Sequence, residues 1–238
     1  MGTNIIPFEN RKIMVSREIA EGKFDLTVSE ISIIIAALGK VSQSKEMLEE
    51  DFHTVTVEDY MRLRGVDFNT AKDGLTLAAE KLWNSFVTVW DKRVEKNMQY
   101  RWITAKTEYI EGDVTFQFNP QLIPSLCQLK RYGTAALTDV GDFKHFASYR
   151  IYFMLLNHGY KTSSGIVEYS LTEFLGLLDL KNSCYVKEFG VFNQRILKPA
   201  IAELKTKGLV DITIEHVLKR KKVVGFRFVY KHLKNASK

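Results

Sequence analysis

Eight side chains in the last third of the sequence carry the most pointed chemistry. Lys187, Gln194, Arg195 and Lys198 recur along one stretch, and Lys219-Arg220-Lys221-Lys222 form an unbroken cationic run. At about 100° per residue, a helix over 186–206 puts Lys187, Val191, Gln194, Arg195, Lys198 and Lys205 on one face. Phe189, Phe192, Ile196, Ala200 and Leu204 fall on the other. A Gln amide can pair with adenine and an Arg guanidinium with guanine, whereas Lys more often clamps phosphate. The cationic face has no carboxylate near its centre. The plain alternative is a solvated helix face over an apolar core face. Pro199 lies inside this helix and should kink it or end its first segment, since it lacks an amide and crowds the preceding turn.

A weaker set lies earlier. Asn69, Thr70 and Lys72 open a predicted helix whose outward face continues with Asp73, Leu77, Glu80, Lys81 and Asn84. Carboxylates repel phosphates, so only the first turn of that helix suits a polyanion. Lys92 and Arg93, with Lys96 nearby, occupy a predicted loop between strands, in the manner of a second charged flap. A dimer interface is the competing role for this half.

The chemistry of an enzyme is missing. The five histidines, His53, His145, His158, His216 and His232, never form a His-x-His pair. No phosphate-cradling Gly-rich loop and no zinc-ligand cluster occurs, so neither a catalytic residue nor a metal or other cofactor is expected. Cys127 and Cys184 form no CxxC pair, which fits a reducing compartment.

These residues need elements to position them. Thr27-Val28-Ser29-Glu30 and Ser170-Leu171-Thr172-Glu173 both read as capping boxes that start helices. Ile31, Ile34, Ile35 and Leu38 follow the first at helical spacing. Further helices are predicted from Thr56 to Gly65, from Asn69–Thr70 through Leu82, from Asn119-Pro120 through Leu129, from Phe143 to Gly159 with a strongly amphipathic pattern, and from Tyr185 to Lys207. Strand-like runs appear at Phe86–Trp90, Tyr100–Lys106, Val114–Phe118, Asp211–Val217 and Val223–Tyr230. Residues 42–51 and 161–165 read as loops. Helix, turn, helix, then a hairpin with a cationic tip is the order of a winged helix, and the first half repeats that order loosely. The expected fold is α+β, with two tandem winged-helix (helix-turn-helix) domains. Residues 1–131 would form the first, 132–142 a linker rich in small residues, and 143–238 the second.

Charge follows this division. Residues 1–130 hold 16 Lys+Arg against 19 Asp+Glu, and residues 131–238 hold 18 against 9. The basic half therefore matches a polyanionic partner. The most apolar run, Ile31 to Leu38, is too short to span a bilayer, and residues 1–10 show no export pattern. A cytoplasmic protein is expected.

The second half resembles the iteron-binding plasmid replication initiators of the RepA/RepE type. The matching residues are Phe146-Ala147-Ser148-Tyr149-Arg150-Ile151-Tyr152 with Leu155-Leu156, and Tyr169-Ser170-Leu171 with Phe174 and Leu178. Tyr185, Phe189, Phe192, Ile196-Leu197-Lys198-Pro199-Ala200-Ile201, Glu203-Leu204 and Phe226-Arg227-Phe228 complete the pattern. The family's usual Glu-Ile-Asn stands here as Glu203-Leu204-Lys205. The resemblance implies a non-enzymatic protein that binds double-stranded DNA at direct repeats in a plasmid origin and helps open it. It implies a homodimer in equilibrium with monomer, the dimer repressing its own promoter through an operator and pairing chiefly through the first domain. The replicative helicase and chromosomal initiator of the host are the implied protein partners. The second domain would be the principal DNA binder and the first an auxiliary one. A dedicated winged-helix transcriptional repressor is the alternative.

Overall fold

The computed structural model describes residues 6–41, 51–91, 93–107, 111–127, 132–158 and 162–233. The chain enters through strand β1 (Lys12–Ser16), and the Ser16 hydroxyl caps α1 (Arg17–Glu21) by accepting the Ile19 amide at 3.1 Å. The first capping box starts α2 (Val28–Lys40), with the Thr27 amide donating to Glu30 Oε2 at 2.5 Å. Strand β2 (Phe52–Val55) leads to the helix pair α3 (Val57–Arg64) and α4 (Phe68–Trp83). The hairpin β3 (Phe86–Asp91) and β4 (Lys96–Arg101) follows, then β5 (Ile103–Lys106) and β6 (Val114–Phe118). Strands β2, β6 and β5 form an antiparallel sheet in that order. The helix expected after Asn119-Pro120 is a 3-10 turn, Pro120–Leu122, continued by α5 (Ile123–Leu126).

Residues 132–142 are not a linker. They contain β7 (Tyr132–Ala136), paired antiparallel with β1 from Lys12↔Ala136 to Ser16↔Tyr132, and α6 (Leu137–Val140). The small residues there serve close packing. A Cβ at Gly133 would stand 2.4 Å from Leu156 Cβ and 3.0 Å from the Leu156 carbonyl carbon. The run of Gly, Ala and Thr is thus the smooth surface against which the next helix lies.

That helix, α7 (Phe146–His158), buries ten residues in succession, Ala147 to Leu156. It is wrapped on all sides, which replaces the expected one-sided pattern. Strands β1 and β7 with α1 cover one flank. Arg150 is the exceptional member. Its guanidinium is wholly buried and donates to Leu177 O at 2.9 Å and 2.6 Å, to Ile19 O at 3.3 Å and to Gly22 O, with the Phe24 ring 4.0 Å away.

The second half begins with β8 (Ser164–Ser170), which falls partly in the expected loop, and α8 (Leu171–Leu177), started by the second capping box. The helix expected over 185–207 is assembled from pieces. A 3-10 turn at Cys184–Val186 precedes α9 (Phe189–Phe192), a π-turn at Asn193–Leu197 and α10 (Lys198–Thr206). Strands β9 (Val210–Lys219) and β10 (Lys222–His232) close the chain, and β10 is central in the order β8-β10-β9. Phe174, Phe192, Phe226 and Phe228 meet between helices and sheet, with ring centroids 5.1–6.2 Å apart. Each such burial contributes roughly 1.5–3 kcal/mol.

One buried ion cluster fixes α3 in the first half. Asp59 receives Arg11 Nη1 at 2.7 Å and also meets the Lys40 ammonium. Burial alone would raise the Asp59 pKa, but the bonds from Lys40 and Arg11 prevail and hold it below the ordinary carboxylate value. A depressed folded pKa gives stability that is present above the unfolded value, about 3.9, and is lost as pH falls through the folded one. Asp59→Asn should therefore destabilise the fold by about 3–5 kcal/mol at pH 7, and that gap should narrow below pH 4. Thermal denaturation of both chains from pH 3 to 7 checks this; parallel curves throughout would exclude the linkage.

Candidate nucleic-acid interface

The second-half helix pair presents a cationic face for local reasons. Phe189 packs on His216 with rings 5.2 Å apart and on Phe226 at 5.9 Å, which lays α9 along the β9–β10 hairpin. Pro199 cannot donate to the carbonyl four residues earlier, and the wider π-turn just before it accommodates its ring. That turn holds one residue more than an α-turn would. The buried series consequently runs Phe192, Leu197, Ala200, Leu204, with Leu197 only 2% exposed, while Ile196 is half-buried. A straight helix would put Ile196 in that series.

The outward side keeps its expected members. Lys187, Gln194, Arg195, Lys198 and Lys205 are exposed, and Val191 is half-buried. Glu188 is exposed at the start of α9, away from the Gln194–Lys198 centre. The hairpin tip adds Lys219, Arg220, Lys221 and Lys222, all exposed. Lys219 pairs with Lys222, so the tip is a two-residue turn with φ of 49° at Arg220 and 65° at Lys221. Both central residues sit in the left-handed region, where a type I′ turn favours Asn and Gly. From His216, which touches α9, the tip lies three residues on, roughly 10 Å along an extended strand.

Their electrostatic state is the informative part. Among the described residues, none of Lys187, Arg195, Lys198, Lys205, Lys219, Arg220, Lys221 and Lys222 makes an ion pair. Several cations elsewhere are engaged. Arg227, in the middle of β10, is held by Glu168 at 2.6 Å and Glu215 at 3.3 Å. Lys106 pairs with Glu80 and Lys207 with Asp142.

The first half is less open. Asn69, Thr70 and Lys72 are exposed at the start of α4, as expected, but Thr70 is committed to the cap. Its amide and hydroxyl donate to Asp67 at 3.0 Å and 2.6 Å. Arg93 grips Asp91 through Nε at 3.0 Å and Nη2 at 2.5 Å, and the Tyr100 hydroxyl donates to the same carboxylate at 2.6 Å. Hydrogen bonds from Arg93 and Tyr100 hold Asp91 well below the usual carboxylate range. The Arg93 charge is therefore largely answered within the hairpin. Lys92 lies outside the described residues.

Sequence reasoning missed Leu197, the positive-φ turn, and the exposed Lys181 and Asn182 in the turn before α9. Pro199 was the available signal for the first, since a proline inside a helix marks a register change. Among the described residues no group of acidic, His or Cys side chains could hold a metal ion, and no helix is long and apolar enough to cross a membrane.

This arrangement has relatives. Residues 12–156 match the family model described as initiator replication protein, WH1, and residues 170–230 match initiator Rep protein, WH2. The first match runs through α7, well past the boundary expected at residue 131. A replication initiation protein of Escherichia coli is 26% identical over 207 residues, covering 85% of this chain. The chain spans 65% of that relative's length. The Pi initiator protein, solved in complex with iteron DNA, superposes with a TM-score of 0.79 at 16% identity, over 95% of this chain and 99% of that one. Domains 2 and 3 of RctB superpose with a TM-score of 0.51 at 12% identity, over 97% and 95%. Two winged-helix domains, with α3–α4 and α8–α10 as their helix pairs, account for both family matches and for the mixed α/β layout. The chain belongs to the initiator replication protein family.

Proposed function

We propose that this chain is a plasmid replication initiator that binds duplex DNA at direct repeats in an origin. The second domain would do most of the binding, with α9–α10 in a major groove and the β9–β10 tip on neighbouring phosphates. The observation that carries this reading is the row of unpaired cations on both elements, beside a Gln-Arg pair suited to base edges. The family membership and the DNA-bound state of the Pi initiator point the same way. Lys187, Lys198, Lys219, Lys221 and Lys222 are assigned to phosphates, Gln194 and Arg195 to bases, and Arg220 to a narrow minor groove. Asn69, Thr70 and Lys72 add backbone contacts from the first domain. Lys92 and Arg93 are assigned there too, Arg93 only through donors that Asp91 leaves free.

No nucleotide hydrolysis is needed. Origin opening would draw on binding energy and DNA deformation, with the host's replicative helicase and chromosomal initiator recruited afterwards. A dimer joined through the first domain would repress the protein's own promoter. Supplying the chain in trans to a replicon deleted for its gene tests the initiator role. Replication without it would leave a dedicated repressor as the better description.

Three outcomes test the interface. Lys221→Glu should weaken binding to every duplex and flatten the dependence of log K on log salt by about one unit for each phosphate no longer neutralised. An unchanged slope removes the tip from the interface. Arg195→Ala should relax preference at one base pair, at about 1–3 kcal/mol; a loss equal on all sequences would instead make Arg195 a phosphate ligand.

The third outcome separates binding from folding. Replacing Arg220-Lys221 with Asn-Gly relieves two left-handed residues, each strained by about 1–2 kcal/mol. The melting temperature should rise while DNA affinity falls. A variant that gains stability and keeps full affinity would show that the tip only closes the hairpin.

A further inference from the structure

Glu203 is the one acidic residue of α10, on a helix otherwise furnished with Lys198, Lys205 and exposed small or polar side chains. A carboxylate on a duplex-binding helix should repel phosphate. This one is turned away and already engaged. Glu203 Oε1 accepts from the Lys144 amide at 2.7 Å, and Oε2 accepts from the His145 amide at 3.2 Å and the Ser148 hydroxyl at 2.6 Å. Those donors surround the start of α7, and the first turn of α7 has no acidic residue of its own. Helix starts leave amides without intrahelical partners and favour negative charge. Glu203 therefore ties α10 to the two residues that lead into α7 and to Ser148 in its first turn. One turn further along, Lys207 pairs with Asp142, just ahead of the same helix start.

We propose that Glu203 is a positioning residue for DNA reading: it fixes the angle and register of α10 against α7 without touching DNA. This rests on the function proposed above. The carboxylate is anchored at three points, two just ahead of α7 and one on that buried helix, so α10 is free neither to roll about its axis nor to slide. Gln194, Arg195 and Lys198 lie in or beside the π-turn that leads into α10. Their reach towards base edges depends on that anchorage. Phosphate attraction, being tolerant of small displacements, does not.

The test uses the full chain and two duplexes, one selected by the wild-type chain from a random-sequence pool and one a scramble of equal composition. Glu203→Ala should lower affinity for the selected duplex about tenfold, the scale of one mismatched base pair. Affinity for the scramble and the salt slope should both stay unchanged. Ser148→Ala, buried and remote from the cationic face, should reproduce the loss in smaller measure. The double variant should be no weaker than Glu203→Ala alone, and Glu203→Gln should recover part of the discrimination. Tighter binding of Glu203→Ala to both duplexes with a steeper salt slope would mean simple phosphate repulsion and overturn the proposal. So would an equal loss on both duplexes, or additive losses in the double variant. If Glu203→Ala fails to fold, Ser148→Ala decides alone, and undiminished discrimination overturns the proposal. A wild-type chain that selects no duplex refutes the function reading itself, which is a separate result.

Discussion

A single buried guanidinium holds the two halves in one arrangement. Burial pushes the Arg150 pKa down to about 9, so the group remains charged at neutral pH. The effective penalty for taking such an ion out of water is several kcal/mol. Among the described residues no carboxylate lies within ion-pair distance to offset it. The offset comes from the carbonyls of Ile19 and Gly22 at the end of α1, that of Leu177 at the end of α8, and the face of Phe24. Helix ends carry unpaired carbonyls and partial negative charge, so two of them aimed at one cation replace a counter-ion. The consequence is geometric. The end of α1 belongs to the first winged helix and α8 to the second, and both must stay within bonding distance of one side chain on α7. Any change in the angle between the halves would strand a buried charge.

The same helix explains why the boundary between the domains is hard to read from sequence. Small residues at 132–142 look like linker composition, yet a linker and a tight packing surface use the same residues. Only the partner, Leu156 against Gly133, tells them apart. The pattern of α7 reads as one-sided because Ser148, Arg150 and Asn157 interrupt the apolar run. Each of these is satisfied by hydrogen bonds inside the protein, to Glu203, to helix-end carbonyls and to Val15 O. A polar residue satisfied internally cannot be distinguished by type from one facing water. Purely local signals suffer no such ambiguity. Both capping boxes form, β6 spans Val114–Phe118 as its alternation requires, and the wing strands pair around the cationic tip.

The candidate site is legible in outline for a related reason. Charge and spacing mark a cationic face, and Gln194, Arg195 and Lys198 are exposed on it. Composition cannot reveal which cations are already answered. Arg93 and Arg227 look as available in the sequence as Arg195 does. Asp91 precedes Arg93 by two residues, and Glu168 and Glu215 reach Arg227 only because the register of β8, β10 and β9 aligns all three. Among the described residues, the cations of the α9–α10 face and of the hairpin tip are all without an ion pair, which composition alone does not show. In the first domain, Lys72 is exposed at the start of α4 while Arg93 is held by Asp91.

Two of the local irregularities in the second domain lie on the cationic face. The π-turn at Asn193–Leu197 interrupts the regular ladder at Gln194 and Arg195, the side chains proposed to read bases. The turn at Arg220-Lys221 puts two long cations where Asn-Gly would fold more easily. A sequence under selection for stability alone would remove both irregularities, since neither buries additional apolar surface. They persist with a plain gain attached. The π-turn lets Leu197 take up the core position while Gln194 and Arg195 stay exposed, and the strained turn concentrates charge at the tip of the hairpin. Departures of this kind are expected where function, rather than folding, sets the residue. Here they lie on a surface whose described cations make no ion pair within the protein.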